Sequence, residues 1–163
     1  MKPILTAALV VAVLAAGAPA DAQNASQIAR VRGGASCPGC NLFQGDFSGL
    51  RARGVNLAGA RLRQATLSLS VMNRARFANA DLRDVDAYGG VFSSASFAGA
   101  DLTNASFVGA YLDGANFSGA TLSGTNFAGA SLAGATGLTQ GALNRACGDE
   151  ATRLPGGLSI PHC

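Results

Sequence analysis

The sequence predicts an all-β solenoid, and three observations predict it. Residues 40–134 divide into nineteen consecutive five-residue units without an insertion. The central position of each unit (42, 47, 52 and onward to 132) holds Leu nine times, Phe seven times, Met once (Met72) and Ala twice (Ala52 and Ala87). Two residues earlier stands a small residue, Ala in eleven units, and two residues later stands Gly, again in eleven. A helix repeats its apolar residues every ~3.6 positions and a half-buried strand every ~2, so a strict period of five fits neither as a long element. Gly at every fifth position also opposes helix, by about 1 kcal/mol each relative to Ala. What remains is a short extended segment and a turn, repeated, with Gly at the position that tolerates a positive φ. Each unit points one large and one small side chain inward and three outward. A single unit cannot bury that face, so it must stack on its neighbours.

The chain has 163 residues, enough for one domain. Met1 and Lys2 are followed by the apolar stretch Ile4–Ala16 and then by Ala18-Pro-Ala-Asp-Ala22. One positive charge, a short apolar core and small-x-small cleavage options after Ala20 or Ala22 read as a secretory signal peptide over residues 1–22. A membrane anchor needs about 20 apolar residues. The expected location is therefore the periplasm or the extracellular space, with no membrane span after cleavage. From Gln23 onward the chain keeps eleven Arg, no Lys, one Glu (Glu150) and seven Asp, a formal charge of +3.

An open solenoid needs caps at both ends. Residues 23–39 are the N-terminal cap segment, with 23–36 reading as a short helix or a loop over the first coil. Residues 135–163 are a C-terminal capping helix and tail. Thr139 reads as an N-cap, with Leu138 before it and Leu143 four residues after it, the spacing of a hydrophobic staple. The helix is expected to run through Ala146 or Cys147 and stop at Gly148. A tail from Arg153 to Cys163 follows.

The clearest units are Ala95-Ser-Phe-Ala-Gly, Ala100-Asp-Leu-Thr-Asn, Ala105-Ser-Phe-Val-Gly, Ala110-Tyr-Leu-Asp-Gly and Ala115-Asn-Phe-Ser-Gly. They resemble the pentapeptide-repeat family, whose repeat runs Ala-(Asn/Asp)-Leu-x-x. The resemblance implies a right-handed quadrilateral β-helix with four units per coil. Nineteen units then make nearly five coils, a rod on the order of 23 Å long at about 4.8 Å per coil. Leu42, Leu62, Leu82, Leu102 and Leu122 would form one inner ladder, and Phe77, Phe97 and Phe117 another. Some members of the family mimic DNA through an acidic surface and bind type II topoisomerases. This chain departs from them: it carries an export signal and a net positive charge, and Arg61 shares a column with Asp81 and Asp101.

Four cysteines in an exported chain suggest two disulfides. Cys37 and Cys40 fall at one end of the rod, Cys147 and Cys163 at the other. Bonded cysteines need Cα atoms within about 7 Å, so each end pairs with itself. Pro38-Gly39 between the first pair suits a type II turn.

Chemistry is scarce. Cys37-Pro-Gly-Cys40 admits an alternative reading, an envelope thiol-disulfide oxidoreductase, but such motifs work at a strand-to-helix junction that lowers the pKa of the first Cys. No zinc site is expected, because the cysteines lie at opposite ends and His162 is the only His. The outer walls carry Asn, Asp, Ser, Thr and Gly, types that hydrogen-bond locally to turns. We therefore expect no catalytic residue, metal or cofactor, and a structural or protein-interaction module.

One column departs from this polar pattern. Arg51, Val71, Val91, Tyr111 and Ser131 stand twenty apart. Together with Arg53 and Arg74, the residues Arg51, Val71, Val91 and Tyr111 form a candidate contact surface, for a second copy or for another envelope protein. The arginines also fit a salt-sensitive contact to an anionic polymer.

Overall fold

The computed structural model describes residues 24–163, and the signal peptide read over residues 1–22 lies outside them. Parallel β-bridges join each ladder residue to the one twenty positions on, from Asn41↔Arg61 to Asn116↔Thr136. Four units therefore complete one circuit of the chain. The chain turns every five residues, which leaves room for one bridging residue per unit and no longer strand. Four outer walls result, named here by their ladders. The first wall carries Asn41, Arg61, Asp81, Asp101 and Thr121; the second carries Asp46, Thr66, Asp86, Ser106 and Asn126. The third carries Arg51, Val71, Val91, Tyr111 and Ser131; the fourth carries Asn56, Arg76, Ser96, Asn116 and Thr136.

Each unit closes with a turn. The Ala65 N–H donates to the Leu62 carbonyl at 2.9 Å, and the Ala100 N–H to the Phe97 carbonyl at 3.0 Å. The residue two past the centre is left-handed in every unit from Gln44 to Gly134, whether or not it is glycine. Leu69 holds that position at φ +58° and Arg74 at φ +60°, a conformation costly for any residue with a Cβ. Asn and Asp before the centre also have a local task. Their side-chain oxygens accept from the backbone N–H two residues on, as Asp101 does from Thr103 at 3.0 Å and Asn116 from Ser118 at 2.9 Å.

The interior is a column of ladders. Leu42, Leu62, Leu82, Leu102 and Leu122 are all buried. Phe77, Phe97 and Phe117 stack with ring centroids 5.1 and 5.2 Å apart, and Phe92 and Phe107 meet Phe97 edge-on at 6.0 and 5.6 Å. At the small central residues Ala52 and Ala87 the structure shows a compensation. Each has a neighbouring Phe in its own coil (Phe47 and Phe92), and each Phe is preceded two residues earlier by glycine, Gly45 and Gly90. The ring edge of Phe47 or Phe92 lies where a Cβ on that glycine would be. The missing methyl lets the ring swing, and both alanines stay buried.

At the N-terminal end the repeat begins one unit before residue 40. The Cys37 N–H donates to the Asn56 carbonyl at 2.9 Å and the Gly39 N–H to the Ala58 carbonyl at 2.9 Å. Cys37 is buried at a central position and Gly39 is left-handed at φ +68°. Cys in place of Leu or Phe, and Pro38 in the turn, hid that unit from the sequence pattern. Helix α1, Ala25–Arg32, precedes it, with Asn24 Oδ1 accepting from the Gln27 N–H at 3.1 Å as N-cap. Its Ile28 and Val31 are buried against the open end of the first coil.

At the other end helix α2 spans only Gln140–Leu143. Thr139 caps it, its Oγ1 accepting from Ala142 at 3.2 Å, and Leu143 is buried. The helix expected to reach Ala146 or Cys147 stops short because the chain returns to the ladder. The Gly124 N–H donates to the Arg145 carbonyl at 2.7 Å, and the Cys147 N–H to the Thr125 carbonyl at 2.9 Å. Bridges Asn126↔Cys147 and Ser131↔Arg153 then extend the second and third walls by one irregular level.

Candidate contact surface

A solenoid filled by its own side chains has chemistry only on its walls and ends. Among the described residues there is no group of three or more His, Cys, Asp or Glu that could hold a metal ion, and no helix long and apolar enough to cross a membrane. Cys37 is bonded to Cys40 and Cys147 to Cys163, with Cα atoms 5.5 and 4.8 Å apart. Cys37 is 1% exposed, so an attacking thiolate would have no approach to it. His162 is exposed at the C-terminal end, beside the Asp149–Ala151 turn.

The walls differ in how they treat charge. On the first wall Arg83 binds Asp81 through two nitrogens at 2.8 and 2.7 Å and lies 3.7 Å from Asp101, and Arg63 stands 3.6 Å from Asp84. The Arg83 guanidinium holds the Asp81 carboxyl below its ordinary value of 3.8, against the partial burial that would raise it. At the ends, backbone donors do the same: Ser48 lowers Asp46, and the Gly129 N–H lowers Asp149. Although Arg63 Nε lacks a hydrogen-bond partner, this wall pairs its own charges.

The third wall does not. Arg51, Val71, Val91 and Tyr111 are brought together in one continuous ladder by the bridges Arg51↔Val71, Val71↔Val91 and Val91↔Tyr111. Val71 and Val91 are half-buried by their neighbours, and Tyr111 is 54% exposed. Arg53 and Arg74 sit on the same wall, and among the described residues no ion pair engages Arg51, Arg53 or Arg74. Unneutralised guanidinium groups beside apolar side chains can serve bidentate recognition of carboxylates and can also stack on rings.

Two further exposed apolar residues adjoin the candidate surface and do not stand in its ladder. Leu69 and Tyr88 are exposed, at 62% and 54%, and with Tyr111 they are the exposed large hydrophobics among the described residues. Both sit at the corner where the second wall meets the third. The Leu69 side chain lies over Gly89, within 2.9 Å of where a Cβ on that glycine would be. The signal was present in the sequence: Leu69 occupies a turn position otherwise held by Gly or polar residues, and Tyr88 an outward position.

A depression of about 370 Å³ opens on the third wall beyond Tyr111, where Gly129 and Ser131 leave the surface low. Tyr111, Asp113 and Arg153 line it, and the Ser131 hydroxyl donates to Asp113 at 2.6 Å.

The family model for pentapeptide repeats matches residues 53–86, 91–129 and 110–136, in eight copies. A pentapeptide repeat protein (Rfr23) from the cyanobacterium Cyanothece 51142 has a similar structure, with TM-score 0.58 and 24% identity over 79% of this chain and 97% of that one. HetL from Nostoc sp. strain PCC 7120, a pentapeptide repeat protein involved in heterocyst differentiation regulation, is 28% identical over 71% of this chain and 57% of its own, with TM-score 0.42. No curated protein gives a significant match. The first likeness carries the fold, a right-handed quadrilateral β-helix.

Proposed function

We propose that this chain, which belongs to the pentapeptide-repeat family, is an exported rod that works as a structural or protein-interaction module through its third wall. Proteins of the family are generally non-enzymatic interaction modules. The observation that carries the reading is the contrast between walls. Arginines on the first wall are paired with aspartates, whereas those on the third stand unpaired beside Val71, Val91 and Tyr111. A wall with only a structural task would have no need of either feature.

In this reading nearly five coils run through residues 40–134, and the unit at 35–39 completes the fifth. Helix α1 closes one end, while α2 and the tail close the other. The Cys147–Cys163 disulfide ties the tail under the last coil and Cys37–Cys40 staples the first unit, which suits a protein that works outside the reducing cytoplasm. The Cys147–Cys163 bond closes a loop of about 15 residues, worth roughly 3 kcal/mol through the unfolded state. Periplasmic or extracellular location follows from the leader.

The test is in-cell crosslinking and affinity capture of the mature protein from the envelope fraction. Val91→Asp combined with Tyr111→Ser serves as the paired control. The reading expects crosslinked species in the parent that the control loses. Identical products in both would overturn it. The oxidoreductase alternative has its own assay: a catalytic Cys37–Cys40 pair would turn over a test disulfide, and a structural pair leaves it unchanged.

A further inference from the structure

Resting on the reading of the third wall as a contact surface, we propose that the wall binds a second copy of this chain in an antiparallel two-fold pair. The features of the wall are ordered along the rod. Arg51 and Arg53 stand at the start, Arg74 is level with Leu69 and Val71, and the apolar group runs from that level through Val91 to Tyr111. Asp113 and the depression of about 370 Å³ come after it. A two-fold axis lying in the interface across the rod, level with Val91, reverses the order of coils and keeps each corner facing its own copy. Four matches then arise together.

Val91 and Tyr88 meet their own counterparts on the axis. Tyr111 lands on Val71 and Leu69 of the second copy, covering the three exposed large hydrophobics at once. Arg74 comes opposite Asp113. Arg51 and Arg53 come over the depression, where small residues leave room for long side chains and Asp113 offers a carboxylate at the rim. Arg153 at the far rim is the one like charge the pairing must accommodate. A parallel pair would set Arg51, Arg53 and Arg74 against themselves and leave the depression empty. Because one face carries both halves of each match in reversed order, the occupant it fits is itself. An isologous two-fold contact is also the commonest closed symmetry.

Sedimentation velocity on the purified mature protein, over a concentration series at low salt, tests this. The parent should show a reversible monomer–dimer equilibrium. Arg74→Asp and Asp113→Arg should each weaken it by roughly tenfold, because the two-fold axis makes every such change count twice. Mixing those two variants in equal amounts should restore the dimer, since each introduced charge then meets its opposite. This arm does not depend on a doubly substituted chain folding. A parent that stays monomeric up to about 1 mM would overturn the proposal. So would a dimer that neither substitution disturbs. Loss of a crosslink to a different protein in the Val91→Asp, Tyr111→Ser control, with a monomeric parent, would leave the contact surface standing and sink only the second copy.

Discussion

Residues 95–134 and residues 45–94 build the same coil from different chemistry. In the first stretch Phe and Leu alternate at the centre, Ala fills every corner but Thr125, and Gly holds every turn but Asn104. In the second, centres include Ala52, Met72 and Ala87, corners include Gly45, Ser70 and Gly90, and left-handed turns fall on Gln64, Leu69, Arg74, Asn79, Asp84 and Ser94. The backbone register does not change, since bridges continue at twenty residues through both. The irregular stretch nevertheless holds Cβ-bearing residues in a backbone region that costs about 1 kcal/mol each, and it buries the Ser70 hydroxyl without a hydrogen-bond partner. It also holds Leu69, Tyr88, Val71, Val91 and the unpaired arginines. Departure from the consensus and surface chemistry coincide, as expected when a sequence relaxes local rules where it has a task.

The sharpest test of this contrast is packing. Phe97→Ala should lose about 4 kcal/mol in urea unfolding, because it removes a ring stacked on two others and met edge-on by two more. Met72→Ala should lose about 1 kcal/mol less, the flexible thioether leaving a site that relaxes more readily. Equal losses would show the two stretches to be equally rigid.

Gly90→Ala comes next. The new methyl would stand where the edge of the Phe92 ring lies, and overpacking of that kind costs about 2 kcal/mol. A neutral result would remove the compensation by which glycine lets Phe92 cover for Ala87.

Smaller effects should run in opposite directions along one ladder. Leu69→Gly should gain about 1 kcal/mol by relieving the left-handed strain, and Gly109→Leu should lose about the same. Thermal melts of both variants measure this, and a loss from Leu69→Gly would mean that the leucine stabilises the free rod.

The smallest effect is on acid stability. Asp81 and Asp46 have folded-state pKa values below the ordinary 3.8, so the folded state binds protons less readily than the unfolded one. Their contribution is complete above that ordinary value and is lost as pH falls through the lower folded values. Tm should therefore hold steady down to about pH 5 and then decline, and Asp81→Asn should flatten part of the decline. An unchanged slope would show that the first-wall ion pairs contribute nothing measurable.

Much of this fold was legible because its period is written in central Leu and Phe, corner Ala and turn Gly. The unit at 35–39 escaped because Cys37 does not look like a core residue until Asn56 is seen to pair with it. The short α2 escaped because a cap motif shows where a helix starts, whereas its end depends on Arg145 and Cys147 rejoining the ladder. The candidate surface was half legible. A column twenty residues apart brings out Val71, Val91 and Tyr111, but Leu69 and Tyr88 join them only around a corner. Charge pairing was not legible at all, since Arg83 and Arg53 occupy the same outward position of their units and differ only in what stands beside them.

The most direct measurement of the central claim is photocrosslinking in cells, with the reactive residue placed at Tyr111 on the third wall or at Ser96 on the fourth. The account predicts a discrete adduct from position 111 and none from position 96. Adducts of equal yield from both positions, or from 96 alone, would contradict it.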